Sequence, residues 1–381
     1  MNIKQSIKKI LACATASAMA LCLTMPTAFA DDNTTNNAKE AYISKTYNTE
    51  VGKEETFSFT ATQVTGEGLV SAVLNPIMPS ISFDANETGR TTKRAQITFP
   101  AFSQEGKYEY TVTESPILSD PVDESNAHEK MIMSQAEYKM DVYVSNNRGT
   151  YEITKIIVNK TKDDKGNVAT GKVDIGDSNA NGFSFTNTYV QEAGTGTDPT
   201  DPGVDYDNYG SLKVTKTVNP NGGTIDPDAS FSFTAKFIFP EGTDANTLGG
   251  VKGNGSAISL ETGEYGFNLK PDESMKFTGL PVGTTMTVSE SNTPNYKGSA
   301  SYVINGGEVQ SKTASKYNES VKVENEKLGQ KKNTVDVTNT YNSVPTTGII
   351  MNTLPYVMMI ILGGVALVGY IYLKNKKYSD K

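Results

Sequence analysis

The sequence predicts an all-β protein: two tandem β-sandwiches of the immunoglobulin-like kind, with an N-terminal signal peptide and a C-terminal transmembrane segment. Three observations carry that prediction. Between positions 40 and 342, short runs rich in Tyr, Phe, Val, Ile and Thr alternate apolar with polar residues, the period of a half-buried strand. Asn-Gly pairs at Asn181, Asn221 and Asn305 punctuate the runs as turn signals. Three landmarks then recur in one order, so a single plan is used twice. Phe57-Ser58-Phe59-Thr60-Ala61 matches Phe231-Ser232-Phe233-Thr234-Ala235, and Thr111-Val112-Thr113-Glu114-Ser115 matches Thr287-Val288-Ser289-Glu290-Ser291. Thr186-Asn187-Thr188-Tyr189 returns as Thr338-Asn339-Thr340-Tyr341. A helical period is nowhere sustained; residues 134–140 are expected to form a turn or two of helix at most.

Residues 1–30 form the first element. Lys4, Lys8 and Lys9 precede a short apolar run that ends in Ala28-Phe29-Ala30, the charged region, apolar region and A-x-A site of a secretory signal peptide. Both cysteines, Cys13 and Cys22, lie inside it, so the exported chain has neither disulfides nor thiol chemistry. Cys13 follows Ile10-Leu11-Ala12, loosely a lipobox, but three apolar residues are too few to serve as the apolar region. The second element is domain one, residues 31–190. A stretch rich in Gly, Asp, Thr and Pro follows at 191–209 and reads as a linker. Domain two occupies 210–342.

The last element, 344–381, has three parts. Val344-Pro345-Thr346-Thr347-Gly348 comes first, then an apolar stretch whose residues 354–373 are long enough to cross a bilayer as a helix, then Lys374-Asn375-Lys376-Lys377. The order resembles the cell-wall sorting signal of Gram-positive surface proteins, in which a sortase cleaves between Thr and Gly and passes the threonyl carbonyl to an amine. Val344 stands where that signal usually has Leu. The resemblance implies contact with the membrane only before sorting.

Removing 1–30 and 348–381 leaves 28 basic and 42 acidic side chains, a net charge of −14. Such a surface repels nucleic acid and anionic lipid. With His128 as the only imidazole, multi-His metal sites and His relays are excluded, and no metal or cofactor is expected. Asp198, Asp201, Asp205 and Asp207 read as solvation of the linker rather than as a glycosidase pair or a calcium loop.

Strand parity exposes an anomaly. Ile43, Lys45 and Tyr47 share a face, as do Leu212, Val214, Lys216 and Val218. Tyr108, Tyr110, Val112 and Glu114 share one; so do Met286, Val288 and Glu290. The last strands repeat it with Phe183, Phe185, Asn187 and Tyr189, and with Val335, Val337, Asn339 and Tyr341. Each domain therefore points one Lys, one Glu and one Asn at its own core. Burial costs such charges dearly unless they are paired or neutralised. Desolvation lowers a lysine pKa and raises a glutamate pKa, so the amine becomes a nucleophile beside a protonated carboxyl. Attack on the Asn carboxamide then expels ammonia and leaves an amide between first and last strands.

These residues resemble the isopeptide domains of Gram-positive shaft pilins, the FctA and CnaB-like group. There the first-strand Lys, in a pattern like Leu212-Lys213-Val214-Thr215-Lys216, bonds the last-strand Asn, in a pattern like Phe185-Thr186-Asn187, and the Glu of T-V-[TS]-E is the catalytic acid. Ala41-Tyr42-Ile43-Ser44-Lys45 departs from the first of these patterns. The resemblance implies cross-links Lys45–Asn187 and Lys216–Asn339, with Glu114 and Glu290 as their catalysts. It also implies a structural subunit of a wall-anchored surface pilus, and not an enzyme beyond its own amide formation. The partners implied are a sortase transpeptidase, identical subunits, minor tip and base pilins, and peptidoglycan. For the lysine that accepts the threonyl group of the neighbouring subunit, Lys172 is the candidate and Lys165, Lys162 and Lys160 its rivals. The alternative is a monomeric wall-anchored adhesin that binds a host ligand; an external hydrolase is the third and least supported option.

Overall fold

The computed structural model describes residues 38–116, 127–173, 175 and 182–343, together with Met359, Ile360, Leu362, residues 365–368 and Tyr370. The expected signal peptide, the expected Asn181 turn, the Val344–Gly348 pentapeptide and most of the apolar span lie outside the described residues. The few described residues of that span are helical and exposed. Among the described residues no helix is long and apolar enough to cross a membrane.

As the sequence predicts, the fold is all-β. Domain one contains β1 (Tyr42–Thr49), β2 (Glu55–Phe57), β3 (Phe59–Val64), β4 (Ile81–Phe83), β5 (Gly89–Gln96), β6 (Gly106–Glu114), β7 (Glu129–Ile132), β8 (Glu137–Asn147), β9 (Thr150–Lys162), β10 (Val168–Val173) and β11 (Phe183–Gln191). Two sheets, β5-β1-β11-β7 and β10-β9-β8-β6-β3, enclose one core, with β2 and β4 paired beside them. Residues 134–140 correct the expectation of a helical turn. Gln, Ala, Glu, Lys and Met favour a helix locally, but from Glu137 onward the chain pairs with β6 on one side and β9 on the other, and Tyr138, Met140 and Val142 are buried with strand period.

A six-residue helix, α1 (Val204–Tyr209), precedes domain two. It ends at Gly210, whose φ of 61° and close approach to Phe277 O, 2.5 Å from where a Cβ would stand, leave no room for another residue. Domain two runs through β12 (Leu212–Asn219), β13 (Phe231–Ile238), β14 (Lys252–Gly253), β15 (Ser256–Ala257), β16 (Glu264–Leu269), β17 (Ser274–Thr278), β18 (Thr285–Glu290), β19 (Tyr296–Val303), β20 (Gln310–Thr313), β21 (Lys322–Lys327) and β22 (Thr334–Tyr341). Its sheets are β15-β14-β17-β12-β22-β19-β20 and β16-β13-β18-β21, around a second core. The Asn305-Gly306 pair adopts positive φ at both residues, 52° and 64°, between β19 and β20.

The start of the 191–209 segment is packed rather than solvated. Glu192 is buried; its Oε1 accepts from Tyr206 OH at 2.8 Å, Ser211 Oγ at 2.6 Å and the Gly279 N–H, and its Oε2 lies 2.7 Å from His128 Nδ1. The backbone joins in, with Ala193 N–H donating to Leu280 O and Val282 N–H to Gln191 O, both at 2.8 Å. Composition alone missed this anchor because one carboxylate among many Gly, Thr and Asp residues carries it.

Candidate functional site

In both domains the first and last strands are neighbours and run parallel. β1 pairs with β11 so that Lys45 stands opposite Phe185 and Tyr47 opposite Asn187. β12 pairs with β22 in the same register, Lys216 opposite Val337 and Val218 opposite Asn339. The Asn thus sits two residues beyond the partner of the Lys, on the same pleat face, in both copies. The Glu arrives from the facing sheet, at the end of β6 or β18.

Each triad closes on one carboxylate oxygen. In domain one Glu114 Oε1 lies 2.5 Å from Lys45 Nζ and accepts from Asn187 Nδ2 at 3.1 Å. In domain two Glu290 Oε1 lies 3.0 Å from Lys216 Nζ, without the alignment of a hydrogen bond, and accepts from Asn339 Nδ2 at 2.8 Å. Lys45, Lys216 and Asn187 are 0 % exposed and Asn339 1 %, so water reaches none of the reacting atoms.

Burial dominates the electrostatics. It pulls the Lys45 and Lys216 amines down to about 8, against the opposing attraction of Glu114 and Glu290. It also pushes both carboxyls up, although their lysines hold them down. Both shifts favour transfer of the proton from amine to carboxyl, toward a neutral pair.

Parity reasoning did not assign a role to the repeated Phe. Phe57 covers Lys45, its ring centroid 4.2 Å from Nζ, and Phe231 covers Lys216 at 4.3 Å. The signal was present: these are the first residues of the F-S-F-T-A landmark. Their faces attract an ammonium, while their bulk helps keep water from the amines.

Also missed were two partners peculiar to domain one. The Ser134 N–H donates to Asn187 Oδ1 at 2.7 Å, and Asp164 Oδ1 accepts from Ser134 Oγ at 2.6 Å and from the Thr186 N–H at 2.8 Å. In domain two, Asn339 Oδ1 has no hydrogen-bond partner among the described residues.

The acceptor candidates cluster on one hairpin. Lys172 is exposed on β10, opposite Asn159 of β9. Lys165 is exposed in the turn between these strands, Lys162 is engaged by Glu137 Oε2 at 3.0 Å, and Lys160 is half-buried over the Tyr138 ring. Among the described residues no three His, Cys, Asp or Glu are grouped to hold a metal.

Residues 210–341 match a domain of unknown function, DUF7601, and residues 41–190 match the family described as Spy0128-like isopeptide containing domain. A curated pilin of Streptococcus pyogenes serotype M1 is 31% identical over 172 residues, 44% of this chain and 48% of that protein; the chain spans about half the length of this relative. The solved major pilin of S. pyogenes aligns at 21% identity over 80% of this chain and 99% of its own, with a TM-score of 0.32. The S. pyogenes major pilin T3.2 aligns at 19% identity over 80% and 98%, with a TM-score of 0.30. Residues 41–190 thus match the Spy0128-like isopeptide domain family, and over 172 residues the chain is similar to a streptococcal pilin.

Proposed function

We propose that the protein is the shaft subunit of a sortase-assembled, covalently polymerised pilus on a Gram-positive cell surface, each domain braced by a self-formed Lys–Asn isopeptide bond. The observation that carries this reading is the Lys–Glu–Asn constellation, buried and in one register, in both cores. The family match over domain one and the relationship to a pilin support it.

The chemistry follows from the site. Lys45 passes one proton to Glu114 and becomes a neutral amine, whose lone pair attacks Asn187 Cγ. The Nζ–Cγ bond forms, the Cγ–Nδ2 bond breaks, and Glu114 relays a proton from Nζ to Nδ2, so ammonia leaves and Glu114 ends protonated. Lys216, Glu290 and Asn339 do the same in domain two. At pH 7 an amine of pKa about 8 is neutral in about one molecule in ten, ample for a reaction that happens once per chain. Assembly then uses Thr347, freed from Gly348, and a lysine of the β9–β10 hairpin, Lys172 in the first instance, with the chain held in the membrane until it is sorted and linked to peptidoglycan at the pilus base.

Mass spectrometry of polymer released from the cell wall tests the whole reading. Expected are peptides joining Lys45 to Asn187 and Lys216 to Asn339, and one joining Thr347 to a hairpin lysine of the next subunit. A single wall-linked band at unit mass, with no intersubunit peptide, would instead identify a monomeric adhesin.

A further inference from the structure

Ser134 lies between β7 and β8, outside either strand, so no sheet ladder fixes its N–H. What holds it is the turn between β9 and β10. Asp164 O accepts the Gln135 N–H at 3.0 Å, and Asp164 Oδ1 takes both the Ser134 hydroxyl and the N–H of Thr186, the residue before Asn187. The Ser134 Oγ accepts the Ala136 N–H at 3.2 Å, and Gly166 packs so closely on Gln135 that an added Cβ would stand 2.3 Å from Oε1. One carboxylate thus ties the electrophile's own strand to the segment whose N–H meets the electrophile's oxygen.

We propose that Asp164 is a positioning residue for amide formation in domain one, holding the Ser134 N–H as a preformed oxyanion donor to Asn187 Oδ1. The proposal rests on the isopeptide reading above. When Lys45 Nζ adds to Cγ, the carbonyl electron pair moves onto Oδ1; when it returns, Nδ2 departs as ammonia with the proton that Glu114 relays. A donor already 2.7 Å from that oxygen stabilises the charge without rearranging. Domain two has no such donor among the described residues, so its site is an internal control in the same molecule.

The test follows the mature two-domain chain after cell-free synthesis, sampled over time, digested, and quantified for the Lys45–Asn187 and Lys216–Asn339 peptides separately. Asp164→Ala is expected to slow the first at least about tenfold and leave the second unchanged, a fraction of the ~10²–10³-fold effect of deleting an oxyanion donor outright. Asp164→Asn keeps the accepting oxygen and is expected to restore the rate to within about twofold. A wild-type rate in Asp164→Ala overturns the proposal, and so does an Asp164→Asn variant as slow as Asp164→Ala, which would assign the effect to charge rather than to placement. Should Asp164→Ala leave domain one unfolded, Ser134→Ala decides: it removes the hydroxyl that Asp164 holds but keeps the N–H, so slowing is expected and an unchanged rate overturns the proposal. Absence of both linked peptides from the wild type would instead overturn the isopeptide reading itself.

Discussion

Asn339→Ala removes the electrophile of domain two and leaves Lys216 and Glu290 in place, 3.0 Å apart. The bond it prevents would close a segment of 124 residues, from Lys216 to Asn339. In the chain-entropy model, a cross-link over a loop of that length lowers the entropy of the unfolded chain enough to stabilise the fold by about 5 kcal/mol at 25 °C. For a domain spanning 210–342, whose unfolding entropy scales with its length, about 5 kcal/mol corresponds to a fall in Tm of about 18 °C. Calorimetry should show that fall in one of two transitions, with domain one unmoved because its core is separate. Intact-mass analysis of the same samples counts the bonds: the wild type should lack two ammonia molecules and the variant one. A variant that still lacks two would refute the assignment of Asn339. A variant that lacks one, yet melts within about 5 °C of the wild type, would refute the entropic account of what the bond contributes.

Three further outcomes are expected. Glu114→Ala should restore one ammonia to the intact mass, and urea unfolding should find it less stable than Asn187→Ala by about 3 kcal/mol, because it leaves Lys45 buried without its counter-charge; equal stability would count against a buried ion pair. In the unlinked Asn339→Ala variant, Lys216 titrates near 8 when folded and near 10.5 when unfolded, so the unfolded state binds more protons between those values and stability should rise with pH across that window. Glu290 works oppositely: its folded pKa is raised, so stability should fall as pH climbs from about 4.5 through that raised value, and urea midpoints against pH should show the alkaline rise in the variant and not in the linked wild type. Glu192→Ala strands Tyr206 OH, Ser211 Oγ and the Gly279 N–H, a loss on the order of 3 kcal/mol that should expose residues 197–203 to a nonspecific protease; an unchanged cleavage rate would show that the joint is held elsewhere.

What could be read from the sequence, and what could not, divides by the range of the physics involved. Parity along a strand is local, so the inward faces of Lys45, Glu114 and Asn187 were legible from period-2 alternation, and so were their counterparts in domain two. That the first and last strands lie within reach of each other is not local; it became legible only because two copies carried the same polar triad, and their parallel direction was not legible at all. The strand beginning at Glu137 was not legible, since its helix-favouring residues are overruled by pairing on both sides. The donor at Ser134 is a backbone N–H, which every residue but proline supplies, so no residue type announces it. Asp164 and Glu192 were hidden for a related reason: an acidic side chain in a polar turn or linker reads as solvation until the groups it accepts from are in view.

In the proposed shaft, the choice of acceptor lysine would change what each proposed bond does under tension. Were the load to enter at the N-terminus, it would meet Lys45 first, and the Lys45–Asn187 amide would carry it past the rest of domain one. If it enters at Lys172 instead, it joins the chain after β1 and runs along the segment from 172 to β11 and onward without crossing that amide. The proposed Lys45–Asn187 bond would then brace β11 sideways against its parallel neighbour, whose hydrogen bonds tension would otherwise shear. The proposed Lys216–Asn339 bond would keep its place in series in either case, because the chain must pass from Lys216 to Asn339 to reach Thr347. With both amides formed, the part of the path that lies between bonded residues is 188–215, which contains α1 and the Glu192 joint. Glu192 is therefore placed where a noncovalent contact matters most: it resists extension in the one stretch between the two domains that neither amide spans.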